Sequence, residues 1–109
     1  MKIKTSELIG NALDHVVLQL DGENPSCGFY STDWADGGPI IEREEIALEP
    51  MTDSDYGDGW LATRVEGPAV CMEFGPTMLV AAMRCYVASH LGDEVEVPDE
   101  LTKKVGSNA

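Results

Sequence analysis

From Gly75 to Gly92 nearly every position is apolar. Met78, Leu79, Val80, Ala81, Ala82, Met83, Cys85, Tyr86, Val87, Ala88 and Leu91 leave Arg84 as the one formal charge. A helix that is apolar on all sides must be enclosed by other elements. At about fifteen residues it is too short to span a bilayer, so it is expected as the central helix of a soluble core. The stretch from Thr5 to Gly22 has a different pattern. Leu8, Ile9, Ala12, Leu13, Val16, Val17 and Leu20 recur at helical spacing, with Asn11, Asp14, His15 and Gln19 between them, which predicts a one-sided surface helix. Thr5 or Ser6 is expected to cap its start, and Gly22 to end it.

Residues 21–39 are rich in Gly, Pro, Ser and Asn, yet they carry Phe29, Tyr30 and Trp34. That mixture predicts an ordered loop whose rings cover one edge of the core. Two readings stay open after it. Pro39 can open a short helix over 39–45 with Asp36 or Gly38 as its cap, or a strand can start nearby, with Glu45-Ile46-Ala47-Leu48-Glu49 alternating until Pro50 stops it. Residues 53–59 read as an acidic turn. Trp60–Val65 and Ala69–Phe74 read as two strands of a hairpin joined by Glu66-Gly67-Pro68. Residues 93–98 alternate acid and valine as an extended, edge-strand segment.

The order of elements predicts an α+β fold: a small antiparallel sheet with the N-terminal and C-terminal helices packed on one or both of its faces, similar to an α-β-α sandwich. Residues 1–98 are expected to form a single globular domain and residues 99–109 a polar, frayed tail. There is no internal repeat and no low-complexity tract.

Charge narrows the choice of partners. Seven Lys and Arg face twenty Asp and Glu, for a net charge of −13. Such a surface repels nucleic-acid phosphates and anionic membranes, so direct nucleic-acid binding and membrane association are not expected. Acidity itself has two explanations, plain solubility or the imitation of nucleic acid. Cys27, Cys71 and Cys85 are odd in number and form no CxxC pair, which argues against a disulfide framework and a structural zinc site. The opening Met1-Lys2-Ile3-Lys4 leads into an amphipathic helix rather than a secretion signal, and a cytosolic location is expected.

No catalytic motif is present. His15 and His90 have no metal-ligand spacing, and the Asp53, Asp55 and Asp58 run is a poor calcium loop, since Arg64 stands where a bidentate glutamate is needed. Neither a metal nor a cofactor is expected. Better candidates are the residues that so acidic a chain makes scarce. Arg43, Arg64 and Arg84 are the only arginines; Arg84 is expected in an internal ion pair with Glu73 or Asp33. Tyr30, Ser31, Asp33 and Trp34 concentrate hydroxyls, a carboxylate and an indole in one loop, as small-molecule sites do. Trp34 and Trp60 serve either as core or as stacking surfaces, and loop Ser and Asp residues commonly cap and turn the backbone.

The opening Met1–Leu8, the block Ser31-Thr32-Asp33-Trp34-Ala35-Asp36-Gly37-Gly38-Pro39-Ile40-Ile41-Glu42-Arg43-Glu44, and the stretch from Gly75-Pro76-Thr77 through Leu91-Gly92-Asp93-Glu94-Val95 resemble the NinX family of lambdoid phages and prophages. The resemblance implies a small phage accessory protein in the host bacterial cytoplasm, and it brings no catalytic residue set. On this basis the expected function is non-enzymatic: binding and sequestering a host protein or a small nucleotide-type defence signal. Tyr30, Ser31, Asp33, Trp34, Arg43, Trp60 and Arg64 form the candidate ligand site, expected at the interface of a homo-oligomer. The alternative is an acidic, nucleic-acid-like inhibitor of a host DNA- or RNA-binding protein; a small hydrolase comes third.

Overall fold

The computed structural model of the chain describes residues 2–21, 29–52 and 59–98. Its elements are β1 (Lys2–Lys4), a 3-10 turn (Thr5–Glu7), α1 (Gly10–Asp21), α2 (Trp34–Glu44), β2 (Ala47–Met51), β3 (Gly59–Glu66), β4 (Ala69–Gly75), α3 (Met78–Leu91) and β5 (Glu94–Glu96). The fold is α+β, as the pattern predicts. The expected Gly22 cap, the acidic turn at 53–58, Cys27 and the tail 99–109 lie outside the described residues.

The apolar helix α3 is the centre of the molecule. Residues 79 to 87 are all buried, and Thr77 caps the start by accepting a hydrogen bond from the Val80 amide at 3.1 Å. One side of α3 rests on a three-stranded antiparallel sheet of order β2-β3-β4; other sides meet α1 and α2. The β3–β4 hairpin is the one expected, with Val65 opposite Val70 and Gly67 in the left-handed region at φ 60°. Of the two arrangements left open, helices on one or on both faces of the sheet, the described residues show helices on one face, and the layers run sheet, α3, then α1 and α2. The reason is that α3 has no polar face to turn to solvent, so its other sides need helices, and α1 supplies its apolar stripe there.

The first helix is shorter than the periodicity suggests. Leu8 is extended at φ −68°, ψ 133°, Gly10 takes φ 60°, and α1 starts there. This break frees the Leu8 carbonyl to accept from Arg84 Nε at 2.7 Å. Of the predicted stripe, Leu8, Ala12, Leu13, Val16 and Val17 are buried, while Ile9, on the break, is 39% exposed. Thr5 does not cap α1. It is buried, its hydroxyl donating to Gly92 O and its amide to Asp93 O, both at 2.7 Å. Those bonds align β1 with β5 in a second, two-stranded antiparallel sheet, Ile3 opposite Val95. Within the valine alternation at 93–98, residues 94–96 are thus a strand whose partner, residues 2–4, was not evident from its own three residues.

Between α1 and β2 the chain is more helical than its composition suggests. Residues 34–39, expected as loop, belong to α2, and Pro39 lies inside the helix rather than at its start. Asp33 is the cap, accepting from the Ala35 amide at 2.9 Å. Gly37 is there for contact, since a Cβ would lie 2.5 Å from Tyr30 O and 2.7 Å from Leu79 Cδ2. Both open readings of 39–49 hold in part: a helix to Glu44, then a strand from Ala47. Pro50 does not stop that strand, because β2 is an edge strand and a proline can keep its missing donor on the open side.

Candidate functional site

Three of the candidate residues converge on one cleft. Ser31, Trp34 and Trp60 line it with Thr32, Pro76, Thr77, Met78 and Leu79, around a volume of about 460 Å³. Each comes from a different element. Trp34 is the first residue of α2, follows the Asp33 cap and is 50% exposed. Trp60 stands on the face of β3 that meets the core, and packs against it. Thr77 and Met78 bring the N-terminus of α3, whose first two amides, Met78 and Leu79, have no acceptor among the described residues. None of the lining residues is formally charged, in a chain whose net charge is −13.

Tyr30 and Asp33 do not line this cleft. Tyr30 is a core residue at 3% exposure, and Asp33 serves α2 as its cap. Phe29, whose ring was also expected over the core, is 60% exposed. The Phe29–Asp33 turn is tied to α1 by Asp14, whose Oδ1 accepts from the Ser31 amide at 2.8 Å. Asp14 was expected on the polar side of the first helix, but it is buried at 8% exposure. Burial raises its pKa above the ordinary 3.8; hydrogen bonding to Ser31 opposes that rise, and the charge of Asp36 adds to it.

Arg43 and Arg64 gather elsewhere. Arg64 bridges Glu44 at 2.9 Å and Glu66 at 2.7 Å, and Arg43 Nε meets the other oxygen of Glu44 at 3.0 Å. Arg43 also donates to the Tyr86 hydroxyl at 3.2 Å and lies 5.8 Å from the centre of its ring. His90 closes the group, 3.5 Å from Glu44 and edge-on to Tyr86. Partial burial acts to raise the pKa of Glu44, but hydrogen bonds from Arg43 and His90 and the charges of both arginines outweigh it and hold the carboxyl below 4.5. Trp34 and the arginine cluster mark opposite ends of α2, whose 11 residues span roughly 16 Å. A single pocket combining both arginines with both indoles is therefore not assembled within one chain.

Arg84 departs from the expected ion pair. Its guanidinium donates to two backbone carbonyls, Leu8 O and Phe74 O, each at 2.7 Å, and Asp33 is engaged as a helix cap. Burial lowers its pKa, and the charges of Glu73 and Glu7 oppose that change. A second concavity, of about 650 Å³, lies between the two sheets, lined by Lys4, Ser6, Glu73, Asp93 and Glu94. Among the described residues, no group of His, Cys, Asp and Glu has a metal-holding arrangement. Cys71 and Cys85 are free thiols that face each other between β4 and α3, and Cys85 Sγ lies 3.4 Å from Cys71 O. Burial pushes the Cys85 thiol up to about 12, so it is a core residue and not a nucleophile.

Sequence reasoning missed the contribution of Thr77, Met78 and Leu79 to the cleft. The helix start at Gly75-Pro76-Thr77 was legible, but only the fold shows that it faces both indoles. It also missed Glu44 as the acceptor that holds both arginines, since a Glu-Arg-Glu-Glu run reads as a solvated face. No described helix is long and apolar enough to cross a membrane. No curated protein matches the chain. Among protein families, the one described as "Bacteriophage P22, NinX" matches residues 23–90, which takes in α2, the three-stranded sheet and most of α3, and the chain belongs to that family.

Proposed function

We propose that this phage accessory protein is a non-enzymatic binder that takes a small, flat, nucleotide-type ligand into the Trp34–Trp60 cleft and so withholds it from the host. One observation carries the reading: the only two tryptophans of the chain meet at the start of α3. An indole left half exposed at a helix start contributes little to the core, and it is a ready surface for stacking a base. The hydroxyls of Ser31, Thr32 and Thr77 line the same cleft. The free amides of Met78 and Leu79 and the positive end of the α3 dipole favour a partly anionic group beside the ring. Arg43 and Arg64, already engaged by Glu44 and Glu66, stand outside this version of the site.

The test is a fluorescence titration with purine and pyrimidine mononucleotides. Stacking on Trp34 quenches its emission, and Trp34→Ala weakens binding by roughly ten-fold or more, given ~1–3 kcal/mol per stacked base. A parent protein whose emission stays unchanged up to millimolar nucleotide, or a Trp34→Ala variant that binds as tightly as the parent, overturns the reading.

A second reading rests on the net charge of −13: an acidic surface that occupies a host nucleic-acid-binding protein. It predicts a complex that weakens steeply with added salt and is indifferent to Trp34→Ala.

A further inference from the structure

The Trp34–Trp60 cleft is built at the starts of two helices, and the two starts differ in charge. At α2 the positive end is already met by acids of the chain itself: Asp33 caps it, accepting from the Ala35 amide at 2.9 Å, and Asp36 lies in its first turn. Asp36 Oδ2 also accepts from the Phe29 amide at 3.2 Å. At α3 the first turn holds no acidic residue and the cap, Thr77, is neutral. A third carboxylate, Asp14, accepts from the amide of Ser31, which lines the cleft. Burial raises the pKa of Asp14, and the charge of Asp36 adds to the rise. The arginines and lysines among the described residues stand elsewhere. Arg43 and Arg64 gather round Glu44 at the far end of α2, and Arg84 donates to two backbone carbonyls. Lys2 and Lys4 lie on β1, paired with β5 beyond the far end of α3.

We propose that the cleft selects by charge: it takes a base-bearing ligand with no more than one negative charge, a nucleoside or a phosphodiester such as a cyclic mononucleotide, and Asp33 and Asp36 exclude nucleoside di- and triphosphates. The proposal rests on the stacking role given above to Trp34 and Trp60. The balance of charge sets the limit. One open helix start contributes about half a positive charge, enough to accommodate one negative group and not several. A triphosphate free of metal ions brings about four negative charges into the field of a chain at −13. Each further negative charge on a ligand then weakens binding on the order of five-fold at about 0.1 M salt, where charges act over ~10 Å. Three further charges make a gap on the order of 100-fold, which narrows at about 1 M salt as the screening length falls to ~3 Å. Stacking accepts any base, so a series that varies charge at constant base isolates this effect.

The test is a titration of tryptophan emission with adenosine, its cyclic monophosphate, its monophosphate and its triphosphate, and with the matching uridine compounds. It is run without divalent cations at about 0.1 M and about 1 M salt. The nucleoside and the cyclic monophosphate are expected to bind within a few-fold of each other. The triphosphate is expected to bind about 100-fold more weakly than the nucleoside at the lower salt, with the monophosphate between them. In Asp33→Asn/Asp36→Asn, whose side chains still cap and accept, the gap narrows at least about five-fold. Glu94→Gln/Glu96→Gln removes the same charge from β5 and changes the gap about two-fold or less. The 14 residues of α3 put roughly 20 Å between its start at the cleft and its end, where β5 follows.

A triphosphate that binds within about three-fold of the nucleoside overturns the proposal and leaves the stacking reading in place. So does a gap that Asp33→Asn/Asp36→Asn leaves unchanged, or that Glu94→Gln/Glu96→Gln narrows equally. Emission that no compound changes overturns the stacking reading and this proposal with it. If the double aspartate variant loses its native circular dichroism spectrum, Asp36→Asn alone is compared, and an unchanged gap there overturns the proposal.

Discussion

A methyl group at Gly75 would lie 2.5 Å from the backbone nitrogen of Ala81 and 2.8 Å from its Cα. Both atoms belong to a helix backbone that cannot yield as a side chain can. Gly75→Ala is therefore expected to destabilise the protein by about 2–3 kcal/mol, read from urea midpoints. Arg84 makes a second demand at this scale. Its two bonds go to carbonyls freed by the break after Leu8 and by the end of β4. Arg84→Lys keeps the charge but cannot reach both acceptors with the geometry of a guanidinium, and a loss of roughly 1–3 kcal/mol is expected in the same assay. The need for partners was legible in the sequence, since an arginine on an apolar helix must be satisfied. Their identity was not, because backbone carbonyls leave no mark in a sequence.

At the scale of elements, α2 shows how composition misleads. Trp-Ala-Asp-Gly-Gly-Pro is turn chemistry by residue type, yet Asp33 caps it and Gly37 is present because Tyr30 and Leu79 approach it. Asp33→Ala is expected to cost about 1 kcal/mol and to loosen Trp34 at the helix start, seen as a red-shifted, more quenchable tryptophan emission. The elements with strong periodicity, α3 and the β3–β4 hairpin, were legible almost to the residue. Those that depend on distant partners, β1 above all, were not. The candidate site divides along the same line. The indoles were found because tryptophan is scarce, while the separation of both arginines from them follows from the length of α2, which the sequence reading had cut short.

At the scale of the whole molecule, two carboxyls, Glu44 and Asp14, respond to pH in opposite directions. Glu44 sits below its ordinary 4.5 in the folded state, so its contribution is present above pH 4.5 and is lost as pH falls through the lower folded value. Asp14 is raised above 3.8 by burial, so the folded state favours its protonated form, and stability is lost as pH rises from 3.8 through the folded value. Urea midpoints across the acid range are expected to show this directly. The advantage of the parent over Glu44→Gln grows with rising pH, and its standing relative to Asp14→Asn declines.

The pairing of residues 2–4 with residues 94–96 sets an order of events during synthesis. The first strand leaves the ribosome with no partner, and its partner follows roughly ninety residues later, about 5–20 s at 5–20 residues per second. Throughout that interval Leu13, Val16 and Val17 also wait for α3, the helix they pack around. The fold therefore closes from the far end backwards, and the nascent chain exposes the apolar stripe of α1 until α3 has emerged.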